Sequence, residues 1–168
     1  VINAASVTTT GNQTFNKPVI LGTSGTGNPT TTFTGSFVYF VETLDAANSG
    51  VESLVVNTVA GNGQTYFGGS VGSIAAPSSI TTDADGKTFF SAGPGNLPTS
   101  ITTTGPQTYN DQVDLLGDAT FNSGGDAISF PGGIDSGFMP GQNFTVNTSG
   151  ATELFDIGAN IPLASLTT

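Results

Sequence analysis

The chain contains no cysteine, no histidine, no tryptophan and no arginine, and a single methionine in 168 residues. Without cysteine there are no disulfide staples and no thiolate metal sites. Without histidine or cysteine, imidazole acid–base work and thiol nucleophiles are excluded. Lys17 and Lys87 are the only bases against twelve acids, for a net charge of −10. That balance offers no basic surface to neutralise phosphates, so nucleic acid is excluded as a partner. An anionic membrane would repel it, and no apolar run is long enough to span a bilayer. No window keeps helical periodicity over three turns. The chain opens on Val without a signal peptide, which reads as a mature or excised segment.

Thr, Gly, Ser and Asn dominate what remains. These are poor helix formers, while Thr, Val, Ile, Phe and Tyr supply strand material. The acids are scattered with no acidic block, so their charge reads first as a solvated surface. The length suits one domain, and residues 1–168 read as a single module, a segment of a longer chain or a fibre subunit.

The strongest internal signal is a repeat. Ser6–Lys17 reads SVTTTGNQTFNK and Ser100–Asp111 reads SITTTGPQTYND. One cassette, a Ser or Asn followed by an apolar residue and then Thr, Val or Asn, starts at Ser6, Ser53, Ser79, Ser100, Asn143 and Ser165, with gaps of 47, 26, 21, 43 and 22 residues. A second cassette follows across a Gly or Asp-Gly: Gln13–Lys17, Gln64–Gly69, Lys87–Ala92, Gln107–Asp111 and Thr152–Ile157. Splitting the two long gaps at Thr30–Phe40 and Asp118–Phe130 leaves seven units of about 23 residues, the length of one coil of a parallel β-helix. The alternative is an antiparallel β-sandwich or jelly roll, which short strands with Gly turns also suit.

Period-two alternation then assigns faces. Val7, Leu54, Ile80, Ile101, Phe144 and Leu166 point inward, the next residues outward, and the next inward again. Phe15, Tyr66, Phe89, Tyr109 and Phe155 form a second inward stack of aromatics. A third short strand is expected at Val19–Leu21, Phe37–Phe40, Val113–Leu116 and Ala127–Phe130. Val41–Val51 and Pro131–Gln142 are expected to bulge from the rod and to carry any ligand contact.

SVTTTGNQTFNKPVIL, SITTTGPQTYNDQVDLLGDATF and SITTDADGKTFF resemble the β-strand-repeat segments of large bacterial surface proteins, similar to filamentous haemagglutinin-like and autotransporter-like adhesins. The resemblance implies a right-handed parallel β-helix, export to the cell surface, and a part in adhesion, matrix or fibre formation. It implies no catalytic motif.

Candidate chemistry is sparse. A β-helix lyase needs a strong base or cation beside bound Ca²⁺, and this chain has no Arg. A glycosidase needs two close carboxylates; Asp111 with Asp114, or Asp83 with Asp85, are the pairs on offer, and solvated turn acids are the plainer reading. Asp83–Lys87, DADGK, resembles the start of a Ca²⁺ loop, which makes Asp83 and Asp85 the candidate Ca²⁺ ligands. Counted from Asp83, the twelfth position is Pro94 rather than a closing Glu, so a tight Asp-Gly turn is the ordinary explanation of the string. No other cofactor is implied. Thr8, Thr10, Thr102 and Thr104 could form flat Thr columns of the ice-binding kind, but Asn57, Asn147 and Asp83 interrupt them. Sequons stand at Asn12, Asn143 and Asn147.

The resulting expectation is a non-enzymatic structural module of a bacterial extracellular fibre or surface adhesin. It would self-associate end to end into a filament and could meet host or matrix glycans. A carbohydrate-active or carbohydrate-binding β-helix is the alternative.

Overall fold

The computed structural model describes residues 1–23, 29–58, 61–91, 99–137 and 141–168. All regular structure among them is β-strand, and every strand pair is parallel. The chain winds as a parallel β-helix with three faces. The first coil carries β1 (Ser6–Thr8), β2 (Gln13–Phe15) and β3 (Val19–Leu21), and the second β4 (Thr30–Gly35), β5 (Phe37–Phe40) and β6 (Leu44–Ala46). The third carries β7 (Ser53–Thr58) and β8 (Gln64–Phe67), and the fourth β9 (Ser79–Thr82), β10 (Lys87–Phe90) and β11 (Thr99–Thr102). The fifth carries β12 (Gln107–Tyr109), β13 (Gln112–Leu115) and β14 (Ala119–Asn122), and the sixth β15 (Ile128–Phe130), β16 (Ile134–Ser136) and β17 (Asn143–Asn147). A last coil adds β18 (Thr152–Leu154) and β19 (Ser165–Thr167).

The first face is the seven-stranded sheet β1-β4-β7-β9-β12-β15-β18, and the second the six-stranded sheet β2-β5-β8-β10-β13-β16. The third face holds β3-β6 and β11-β14-β17-β19, joined through bridges from Leu44 to Val71 and from Val71 to Ile101. Each face buries alternate residues into one shared core running the length of the helix.

Coil length is uneven. On the first face Ser6 pairs with Thr32, Thr32 with Val55, Val55 with Thr81, Thr81 with Thr108, Thr108 with Ser129 and Ser129 with Glu153, steps of 26, 23, 26, 27, 21 and 24 residues. This unevenness corrects the expected register. The cassettes at Ser6, Ser53 and Ser79 lie on the first face, but those at Ser100, Asn143 and Ser165 lie on the third. Ser79 and Ser100 occupy two faces of one coil, because 21 residues fall short of a full turn there.

Alternation within the first cassette holds through the interior: Leu54, Ile80, Ile101 and Phe144 are buried, as are Val56, Thr82, Thr103 and Val146. The second cassette splits. Phe15 and Tyr109 face inward, but at Gln64–Phe67 and Lys87–Phe90 the inward residues are Thr65 with Phe67 and Thr88 with Phe90. Tyr66 therefore faces outward, and Phe89 shares its register. On the last coil Leu154 lies under Phe130, which leaves Phe155 half exposed. Each miss is a one-residue slip, and a one-residue slip turns a side chain to the other face. The expected third strands scatter as well: Val19–Leu21 is on the third face, Phe37–Phe40 and Val113–Leu115 on the second, and Ile128–Phe130 on the first.

The duplicated twelve residues form a corner. After β1, Thr9 Oγ1 donates to Gly11 O at 2.8 Å, and Gln13 Nε2 donates to Val7 O at 3.0 Å, Thr9 Oγ1 at 3.3 Å and Thr34 O at 2.8 Å. After β11, Thr103 Oγ1 donates to Gly105 O at 2.7 Å, and Gln107 Nε2 donates to Ile101 O at 3.5 Å, Thr103 Oγ1 at 3.0 Å and Asn122 O at 2.8 Å. Both Gln side chains are buried and satisfy backbone carbonyls of the strand before the corner and of the strand paired with it, β4 for Gln13 and β14 for Gln107. Thr-x-Gly-x-Gln is thus a braced turn between two faces. One copy joins the first face to the second, and the other joins the third to the first. Gln64 lacks a Thr four residues earlier, and it faces outward.

The inner aromatics change face along the rod. Phe15, Phe40, Phe67 and Phe90 stack beneath the second face with centroids 5.3, 5.5 and 5.1 Å apart. Below them Tyr109 stacks on Phe130 beneath the first face at 5.0 Å, with Phe121 and Phe144 edge-on from the third.

The expected loops are largely absorbed into the wall. Within Val41–Val51, Leu44, Asp45 and Ala46 are buried as β6; within Pro131–Gln142, Ile134, Asp135 and Ser136 are buried as β16, and Phe138–Pro140 lies outside the described residues. Several acids are structural rather than solvated. Asp45 Oδ1 accepts from Ile74 N at 2.8 Å and Ala75 N at 3.3 Å, and fully buried Glu52 accepts from Asn48 N at 2.9 Å and Asn48 Nδ2 at 3.2 Å. Such carboxylates take up backbone N–H groups that a turn leaves without a ladder partner.

Candidate surface site on the second face

The second face presents two outward columns. Phe37, Gln64, Lys87 and Gln112 stand in register, and beside them stand Thr14, Tyr39, Tyr66, Phe89, Asp114 and Asp135. The strands place them there because Val38, Thr65, Thr88 and Val113, between the two columns, point into the core.

The second column changes character along the rod. Tyr39 and Tyr66 have centroids 5.4 Å apart, and Tyr66 stacks on Phe89 at 4.4 Å with planes 12° apart. Tyr66 Oη donates to Gln64 Oε1 at 3.1 Å. Burial, with Tyr39 and Asp114 nearby, raises the Tyr66 hydroxyl above its ordinary range. A hollow of about 310 Å³ lies against these rings, lined by Asn12, Thr14, Phe37, Tyr39, Tyr66, Ser91 and Leu116. Gly68 lets the Tyr39 ring lie close: a Cβ there would meet Val41 O at 2.8 Å and Tyr39 Cε2 at 3.1 Å.

Further along, the column is acidic. Lys87 Nζ pairs with Asp114 Oδ2 at 2.8 Å. Asp135 Oδ2 accepts from Gln112 Nε2 and Asn160 Nδ2, both at 2.7 Å, and its Oδ1 from Asn160 N at 3.1 Å and Ile161 N at 3.5 Å. Burial opposes its charge, but these donors hold the carboxyl below the usual range. Lys87, Gln112, Asp114, Asp135, Asn160 and Ile161, with Ser136 and Gly137, line a second hollow of about 410 Å³.

The carboxylates singled out in the sequence fall elsewhere. Asp83 and Asp85 sit at the corner between β9 and β10, where Gly86 has φ +104° and a Cβ would lie 2.0 Å from Gly63 O. Thr58 Oγ1 donates to Asp83 Oδ1 at 3.4 Å and to Asp85 O at 3.0 Å. Burial raises Asp83, whose Oδ2 has no hydrogen-bond partner among the described residues, while Asp85 is exposed. No cluster of three or more metal-ligating side chains forms among the described residues. Asp111 does not pair with Asp114: it turns inward, accepting from Thr82 Oγ1 at 2.7 Å and Thr88 Oγ1 at 2.9 Å, while Asp114 lies on the outer side of the sheet, 8% exposed under its Lys87 partner. Burial pushes Asp111 up to about 6, against the two hydroxyls and with Asp83 adding to the rise.

Stacking therefore brings together Asp114 with Asp135, and Tyr39 with Tyr66 and Phe89. Both groupings are 21 or more residues apart in the sequence, and neither was evident from spacing. The signal available was the run of doubled aromatics in FVYF, QTYF and KTFF, where an outward ring necessarily neighbours an inward one. Comparison with protein-family models, curated proteins and solved structures found no match.

Proposed function

We propose that the chain is a non-enzymatic structural module of a bacterial extracellular fibre or surface adhesin, a stiff rod built by coil stacking. The observation that carries this is the seven-stranded parallel ladder of the first face, which runs through every coil around one apolar core. Seven rungs at about 4.8 Å make a rod of roughly 34 Å. Side chains reinforce the ladder on the third face, where Asn143 N and Nδ2 donate to Asp118 at 2.8 and 2.9 Å, Ser165 Oγ donates to Asn143 Oδ1 at 2.7 Å, and Asn147 Nδ2 donates to Asn122 Oδ1 at 2.9 Å. The adjacent pair Asp114–Asp135 suits binding better than hydrolysis: a glycosidase needs one carboxyl that keeps a proton near neutral pH, whereas Asp135 is held ionised and Asp114 is paired with Lys87. The acidic, Lys-poor surface fits an extracellular location away from nucleic acid and membranes.

Strand edges at the end coils offer backbone groups for another rung, supplied by further coils or a second copy. Negative-stain microscopy of the purified protein at increasing concentration tests this. Rods that lengthen with concentration, with a meridional reflection near 4.8 Å, are expected; monodisperse particles at high concentration would refute end-to-end assembly.

A further inference from the structure

We infer that the outward second face binds a neutral polysaccharide laid along the rod, with Tyr39 as the sugar-stacking residue, Tyr66 as an edge contact beside it, and Gln112 and Asp114 as hydroxyl partners. The inference deepens the adhesin part of the function proposed above.

The argument begins with what the face offers. A pyranose has an apolar C–H face and a rim of hydroxyls, so a site for it needs both an aromatic surface and fixed amide or carboxylate groups. The second face supplies the two side by side. Tyr39 and Tyr66 are half-buried, and their rings border the 310 Å³ hollow. Phe89, only 5% exposed, covers one face of Tyr66, while Tyr39 is tilted 53° from Tyr66 and lies over Gly68, which makes it the ring that offers a face. The neighbouring 410 Å³ hollow is lined by Gln112, Asp114 and Lys87. These side chains are preorganised, since Lys87 holds Asp114 and Gln64 holds the Tyr66 hydroxyl.

The first face lacks this pairing. The outward column of the first face runs Ser6, Thr32, Val55, Thr81, Thr108 and Ser129, without an aromatic ring. Geometry favours a polymer: residues on successive rungs repeat every ~4.8 Å, close to the length of one sugar ring. Charge selects its type. With net charge −10 and two lysines, one of them spent on Asp114, the face repels uronic acids and sulfated chains and accepts uncharged ones.

The test uses the full chain and three neutral hexasaccharides, cellohexaose, chitohexaose and mannohexaose, with hexagalacturonate as the anionic probe. The chain has three tyrosines and no tryptophan, and Tyr109 is sealed in the core, so tyrosine fluorescence reports on Tyr39 and Tyr66. Saturable fluorescence change is expected with at least one neutral hexasaccharide and none with hexagalacturonate. Tyr66→Ala and, separately, Tyr39→Ala should weaken binding about tenfold or more by calorimetry, while Thr81→Ala on the first face leaves it unchanged; circular dichroism melts identify any variant that fails to fold. Asp114→Asn is the second probe if an aromatic variant misfolds, with an expected loss of about threefold or more. No binding of any neutral hexasaccharide at millimolar concentration, preference for hexagalacturonate, or binding indifferent to all three variants overturns the inference. Rods that bind no sugar would leave the fibre function standing, and a monomer that binds through Tyr39 would leave only this inference standing.

Discussion

Coils one to three and coils five to seven use the same parts rotated by one face. In the upper coils the Ser-apolar-Thr cassette lines the first face and the inner rings stack beneath the second. In the lower coils the cassette lines the third face and the stacked rings lie beneath the first. Coil four carries both arrangements, with β9 on the first face and β11 on the third. The rotation shows that the repeating unit is a corner with its two flanking strands, indifferent to which two faces it joins. Any corner of the triangular coil presents the same need: a turned chain whose freed carbonyls want a donor, which Gln13 and Gln107 both supply.

Four measurements would break or sharpen that comparison. The largest effect is expected from Phe121→Ala. This ring touches Phe90, Tyr109, Phe130 and Phe144, so truncation should cost about 3–5 kcal/mol in urea unfolding. Phe15→Ala in the first coil, where the ring is only partly buried, should cost about half as much. Equal losses would show that both halves are packed alike.

Next come the corners themselves. Gln107→Leu removes the donor to Asn122 O and the acceptor for Tyr109 Oη at 3.0 Å, leaving a fully buried hydroxyl unsatisfied, for about 2–4 kcal/mol. Gln13→Leu, at the end coil and with no partner on its Oε1 among the described residues, should cost about 1 kcal/mol. A reversed order would refute the equivalence of the two braces.

Asp111 tests the splice between the halves, since it joins β9 and β10 of coil four to coil five. Its folded-state value, about 6, lies above the ordinary 3.8, so the folded chain binds this proton more tightly than the unfolded one. Its contribution to stability is present below about pH 4 and is lost as pH rises through about 6. Stability should therefore rise by about 1–2 kcal/mol on acidification from pH 7 to 5. Asp111→Asn should flatten that profile. A wild-type profile already flat across this window would sink the assignment.

The smallest effect is on the solvated ladder of the third face. Asp118 is held below its usual value by Asn143 N and then by Asn143 Nδ2, so its contribution is present above about pH 4 and lost below it. The group is partly exposed, and Asp118→Ala should cost no more than about 0.5 kcal/mol at pH 7. A loss as large as that of Gln107→Leu would place the rod's stability in its surface ladders.

Much of the architecture was legible. The Thr-rich composition excluded helices, and the recurring cassettes called for stacked coils. The alternation at Leu54–Val56, Ile80–Thr82 and Phe144–Val146 was readable because a strand has a period of two whatever it packs against. The surface column was not legible. Gln-Thr-Tyr is inward–outward–inward at Gln107–Tyr109 and the reverse at Gln64–Tyr66, and only the brace from Thr103 distinguishes them. The buried acids were equally hidden: whether Asp45 or Asp135 is solvated depends on a loop about 25 or more residues away folding back over it.

By itself, then, the amino-acid order determined that each segment is a strand or a corner and that similar segments stack, because propensity, alternation and turn chemistry act over a few residues. Which face each strand occupies, and so which side chains become neighbours on the surface, was decided only by the closed coil. Register between rungs depends on the summed length of three strands and three corners, and an error of one residue anywhere in that sum exchanges the inside for the outside.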